Sequence, residues 1–170
     1  MDQKTEQILA KYAQQNPVPI VDLAKELGLY VVETSELDDN YAGSLSKEGD
    51  NFVIYINTSH PLTRKRFTIA HEIAHFIQHK HLFDTNNEHI DNIKQPVKAL
   101  NSEEGRELTD AEKKIEIEAN NMAADLLMPK DLFLRVWKNA ISLPEVAEQF
   151  KVSESAATLR ARFLLGQTIV

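Results

Sequence analysis

From Pro61 to about His79 the apolar residues shift from a spacing of two to a helical one. Phe67, Ala70, Ala74 and Ile77 form one stripe, with Arg64, Lys65 and Gln78 off it. Four of the chain's six histidines, His71, His75, His79 and His81, fall within or just past this predicted helix. Whatever the chain folds into must place that helix where its imidazoles are useful or harmless. Upstream the pattern is mixed. Residues 4–15 read as a helix, Pro17 and Pro19 break the chain, and residues 20–27 read as a second helix stopping at Gly28. Tyr30 to Thr34 reads as a strand, and Tyr41 to Ser46 with Phe52 to Asn57 as a hairpin across Lys47-Glu-Gly-Asp50. Downstream, residues 84–109 are polar and aperiodic and read as a surface loop. Thr109 with Glu112 has the form of a capping box opening a helix that ends before Pro129. Further helices are predicted over residues 130–139, 143–150 and 154–165. The fold class is α+β, with a small antiparallel sheet supplied by the N-terminal half.

A chain of 170 residues can bury a sizeable core without a metal to staple it, so a bound ion would serve chemistry. The net charge of −7 disfavours non-specific binding to nucleic acid or to an anionic membrane. Neither a membrane-spanning run nor a signal-peptide core is seen, and a cytoplasmic location is expected. Cysteine is absent, so any metal must be held by histidine and carboxylate.

His71 and His75 are four apart, so on a helix both reach one ion at roughly 2.0–2.1 Å. Glu72 projects about 100° round the helix, beside the open coordination position, where a general base is needed. A hydrolytic zinc site wants a third protein ligand. His81 has the sequence spacing of a third histidine, but that arrangement calls for glycine where Gln78 stands. His79, one turn past His75, reads as solvated. The other source is a carboxylate on the capped helix, where Ala119, Ala123, Ala124 and Leu127 permit close packing. There Glu116 can ligate, and Asn120, four residues on, can accept from the outer ring nitrogen of a ligand histidine. Glu118 points away from Glu116 and reads as a solvated charge, though it stays open as the alternative ligand. Glu103, Glu104 and Glu107 read as surface charges.

Gly43, Ile54-Tyr-Ile-Asn57, Arg66-Phe-Thr-Ile-Ala-His-Glu-Ile-Ala-His75 and Glu116-x-x-Ala-Asn-x-Met-Ala-Ala-x-Leu-Leu-Met-Pro129 together resemble the ImmA/IrrE-type zinc metallopeptidase family over about residues 20–165. Met122 and Ala74 depart from the phenylalanine and glycine common there, both as core-facing changes. The resemblance implies Zn²⁺ as cofactor, His71, His75 and Glu116 as its ligands and Glu72 as the catalytic glutamate. It also implies a zincin-like helix pair and endopeptidase activity on a protein substrate, namely a partner transcriptional repressor of the helix-turn-helix type. Residues 1–129 are then expected to form the metallopeptidase domain, and residues 130–170 a C-terminal helical extension. Within the mechanism this implies, Phe52 to Asn57 could pair with an extended substrate if it is the sheet edge, and Tyr41, His60 and His89 are candidate oxyanion donors.

Two rival readings remain. Leu143 to Arg162 resembles a helix-turn-helix, although its second helix opens on Glu154 and Ser155 and offers only Arg160 and Arg162 to phosphate. DNA binding by this chain is therefore not expected, and a packing or docking role is preferred. The other reading is a zinc-containing regulator that binds a repressor without cutting it, against which intact Glu72 argues.

Overall fold

The computed structural model describes residues 1–38, 41–80 and 108–166. Helix α1 (Gln3–Tyr12) is opened by Asp2, whose side chain accepts from the Thr5 amide, and α2 (Ile20–Glu26) follows the proline break. The backbone then turns through Gly28, at φ +86°, a left-handed conformation that costs glycine little. Three strands come next, β1 (Leu29–Thr34), β2 (Gly43–Glu48) and β3 (Asn51–Asn57). Gly49, at φ +61°, supplies the hairpin turn expected between β2 and β3.

The α+β class stands, but the sheet is mixed. Its order is β1-β3-β2, with β2 antiparallel to β3 and β1 parallel to it. A tight turn forces neighbours to be antiparallel, which settles the β2–β3 pair. The longer β1–β2 connection carries the chain past the place where β3 inserts, so β3 runs alongside β1. Phe52 to Asn57 is therefore the central strand and is paired on both sides. It is not the sheet edge that could receive a substrate segment.

Helix α3 (Leu62–His79) lies between this sheet and helix α4 (Asp110–Leu127), with which it forms the most extensive helix–helix contact. Every residue from Thr68 to His75 is buried, Ile69 and Ile73 included, so the helix is covered all round rather than along one stripe. Gly43 permits the close approach of β2 to α3. A Cβ there would come within 2.4 Å of the Tyr55 carbonyl oxygen and 2.7 Å of Thr68 Cγ2. The capping box of Thr109 and Glu112 forms as expected, and Ala119 and Ala123 are fully buried on α4.

Helices α5 (Lys130–Asn139), α6 (Leu143–Phe150) and α7 (Glu154–Leu165) send Phe133, Val146, Phe150, Ala157 and Ala161 into the same buried cluster as Ile8, Ile54 and Ile73. Two guanidinium groups fasten them. Arg66 of α3 donates to the carbonyls of Val18 and Lys151, and Arg160 of α7 donates to that of Met128 while pairing with Asp125 at 2.6 Å. Arg160 is buried in this role, so it is not one of the two cations available to DNA phosphate. No described helix is long and apolar enough to cross a membrane.

Candidate metal centre

The four-residue spacing on α3 puts the two Nε2 atoms of His71 and His75 2.9 Å apart. From α4, Glu116 reaches both, with Oε2 3.3 Å from His71 Nε2 and Oε1 3.4 Å from His75 Nε2. His71, His75 and Glu116 are the group among the described residues whose donor atoms converge closely enough to hold a metal ion.

The tautomer of His71 follows from its other neighbour. Asn120 presents Oδ1 to His71 Nδ1 at 3.0 Å, and an amide oxygen only accepts, so the neutral ring carries its proton on Nδ1 and a bare lone pair on Nε2. That lone pair faces a second imidazole nitrogen and a carboxylate. Glu116 Oε2 is buried and, despite its nearness to His71, makes no hydrogen bond of good geometry. Electron-rich atoms packed this way call for a cation. Their separations also suit one, because bonds of about 2.0–2.1 Å in a tetrahedral site hold the ligand atoms roughly 3.3 Å apart. The donor set therefore fits a divalent ion with one position left open.

The electrostatics agree. Burial works against the charge on Glu116, but the two imidazoles overcome it and hold the carboxyl down at about 2. Burial likewise opposes charge on His71, and the carboxylates of Glu116 and Glu72 outweigh it and raise the imidazole above its ordinary value. Glu72 behaves oppositely. It is 9% exposed, and removal from water raises its carboxyl even though both histidines and the Leu45 amide of β2 favour the ionised form. A carboxylate raised toward neutrality accepts a proton more readily.

Asn120, on α4, faces the Nδ1 side of His71. His79 does not behave as expected of a solvated group, whereas the side chain of Glu118, 44% exposed, does. His79 is buried, its Nδ1 3.3 Å from His75 Nδ1 and its Nε2 3.3 Å from Glu118 Oε2. Glu118 is thus not in the metal-ligating group. The available signal for His79 was its position four residues beyond His75, the same spacing that joins His75 to His71. Tyr41 and His60 flank Asn57, whose side-chain amide donates to the Tyr41 carbonyl and whose own carbonyl accepts from the His60 amide, and neither joins the converging group. His81, His89, Glu103, Glu104, Glu107 and the predicted loop over residues 84–107 lie outside the described residues.

The family model described as the IrrE N-terminal-like domain of the M78 peptidases matches residues 24–162. The chain belongs to the M78 peptidase family. Among curated proteins, none matches its sequence significantly. Solved structures do match, among them a Mycobacterium tuberculosis transcriptional regulator, at a TM-score of 0.61 and 15% identity, covering 95% of this M78 chain. The chain spans 47% of that regulator's length, and at this identity the likeness is one of fold. M78 membership points to a peptidase, and the converging side chains of α3 and α4 supply a group that can bind its metal.

Proposed function

We propose that this M78 chain is a zinc-dependent endopeptidase that hydrolyses a peptide bond in a protein substrate, a helix-turn-helix repressor being the substrate class. The observation that carries the reading is the meeting of His71, His75 and Glu116 within reach of one ion, with buried Glu72 beside them. The ligand types favour zinc. A zinc ion held there would polarise the scissile carbonyl and acidify the attacking water.

The residues of the chain do the rest. Glu72 takes the proton of the attacking water and delivers it to the leaving amine, so a single carboxyl performs the acid and base steps. Its raised affinity for a proton suits both. Asn120 accepts from the outer nitrogen of His71, which leaves the inner nitrogen unprotonated, as a zinc ligand would have to be.

The substrate edge is β2. Asn57 donates to the carbonyl of Ala42, so the residues of β2 paired by hydrogen bonds to β3 alternate from there. The main-chain groups of Gly43, Leu45 and Lys47 then face away from β3. The Leu45 amide, within this edge, is directed at Glu72. An extended peptide added to β2 would lie across the front of the site. The repressor as substrate is supported by membership of the M78 family and by the fold shared with a transcriptional regulator.

The deciding experiment incubates the zinc-loaded protein and its Glu72→Gln variant with a repressor encoded beside it. Cleavage by the first alone is expected. Equal cleavage by both would show that a different protease is responsible, and intact repressor with tight binding would leave a non-cleaving regulator.

A further inference from the structure

Each ligand histidine must find an acceptor for its outer N–H, because a ring that binds a cation through Nε2 carries its proton on Nδ1. For His71 that acceptor is Asn120. For His75 the neighbour is another imidazole. His75 Nδ1 lies 3.3 Å from Nδ1 of His79, and of two facing ring nitrogens one must donate and the other accept.

The direction is settled at the far end. His79 Nε2 stands 3.3 Å from Oε2 of Glu118. An ionised carboxylate only accepts, so Nε2 of His79 carries the proton and Nδ1 is left with its lone pair. That lone pair is what His75 requires. The chain therefore runs one way, with His75 Nδ1–H donating to His79 Nδ1 and His79 Nε2–H donating to Glu118. His79 is 5% exposed, so water does not readily substitute for it.

We propose that His79 and Glu118 are positioning residues for the metal, acting through His75 as Asn120 acts through His71. This rests on the metal-binding reading given above. Helix α4 then serves the site three times, with Glu116 as ligand and Asn120 and Glu118 each ending one histidine's outer hydrogen-bond chain. The imidazole of His79 spans a gap that the Glu118 side chain does not close by itself.

Zinc affinity, measured by competition with a chromogenic chelator, tests the relay without reference to catalysis. His79→Leu keeps the apolar bulk and removes the acceptor. It is expected to weaken zinc binding by about 10–100-fold, the usual cost of losing an outer partner of a ligand histidine. His79→Gln offers a carbonyl to His75 and an amide N–H to Glu118, and should recover most of that loss. Unchanged affinity in His79→Leu, with His71→Ala still abolishing tight binding, would overturn the relay and leave the metal centre standing. Absence of tight zinc binding in the wild-type chain would overturn both.

A second measurement on the wild type is independent of how the variants fold. In the zinc-loaded protein, nitrogen chemical shifts of the histidine rings should report a proton on Nδ1 of His75 and on Nε2 of His79, with the His75 proton protected from exchange. A proton on Nδ1 of His79, or a freely exchanging one on His75, would overturn the assignment.

Discussion

Glu116 and His71 shift in opposite directions through one contact, and each shift has its own consequence for stability. The Glu116 carboxyl is lowered from 4.5 to about 2, so its contribution is fully present above pH 4.5 and disappears as the pH falls through the folded value. His71 is raised above 6.5, so its contribution is fully present below pH 6.5 and disappears as the pH rises through the folded value. In metal-free protein the difference in unfolding free energy between wild type and Glu116→Gln should be of order 1 kcal/mol or more near pH 5 and should shrink toward pH 2. Urea titrations across that range would reveal it, and a pH-independent difference would contradict the pairing. Zinc competes with the His71 proton, so zinc affinity should fall once the pH drops below the imidazole's raised value. The pairing of His71 with His75 and of Glu116 with Asn120 was readable from helical spacing, which puts residues four apart on one face. The fate of His79 was not, because a histidine at the end of an amphipathic pattern looks solvated until its neighbour on another helix is known.

Among the elements, β2 carries the tightest constraint. It must lie close enough to α3 for the Leu45 amide to reach Glu72, and Gly43 has no side chain to obstruct this. A methyl group there meets main-chain oxygen, which cannot swing aside. Gly43→Ala should cost about 1–3 kcal/mol and should also reduce turnover by displacing the edge strand. Thermal melts and a cleavage assay of the same variant would check both effects, and an unchanged melting temperature would show that the strand has room to move. The helices were predicted closely, since the cap at Thr109 and the stop at Gly28 are local signals. The parallel placement of β1 was not, for strand order depends on pairing between segments that are distant in the chain.

For the molecule as a whole, a single buried cluster joins α3 and α4 to the C-terminal helices. Phe133 of α5 is fully buried and stacks between Trp137, at 5.9 Å, and Phe150, at 5.6 Å. Truncation to alanine there should cost about 3–5 kcal/mol. Because the cluster is shared, far-ultraviolet and tryptophan signals should still report one coincident transition, and two separated transitions would argue that the C-terminal helices fold apart. Ion binding should act on the same equilibrium. Zinc at about 100 times its dissociation constant should add about 2.7 kcal/mol to the stability of the wild type and nothing comparable to that of His71→Ala. Calorimetry with and without chelator would measure the gain.

Spacing along a single helix sufficed to pair His71 with His75 and to set Glu72 beside them, because 3.6 residues per turn is a local property of the backbone. The small residues and cap of the downstream helix sufficed to nominate Glu116 and Asn120. Which strand is exposed as an edge, that Arg160 is consumed in fastening α7 to α4, and that His79 lies buried between His75 and Glu118 were settled only by packing. Those outcomes depend on how α3, α4 and the sheet approach one another, and the cohesion that decides it comes from burying apolar surface contributed by segments far apart in the chain.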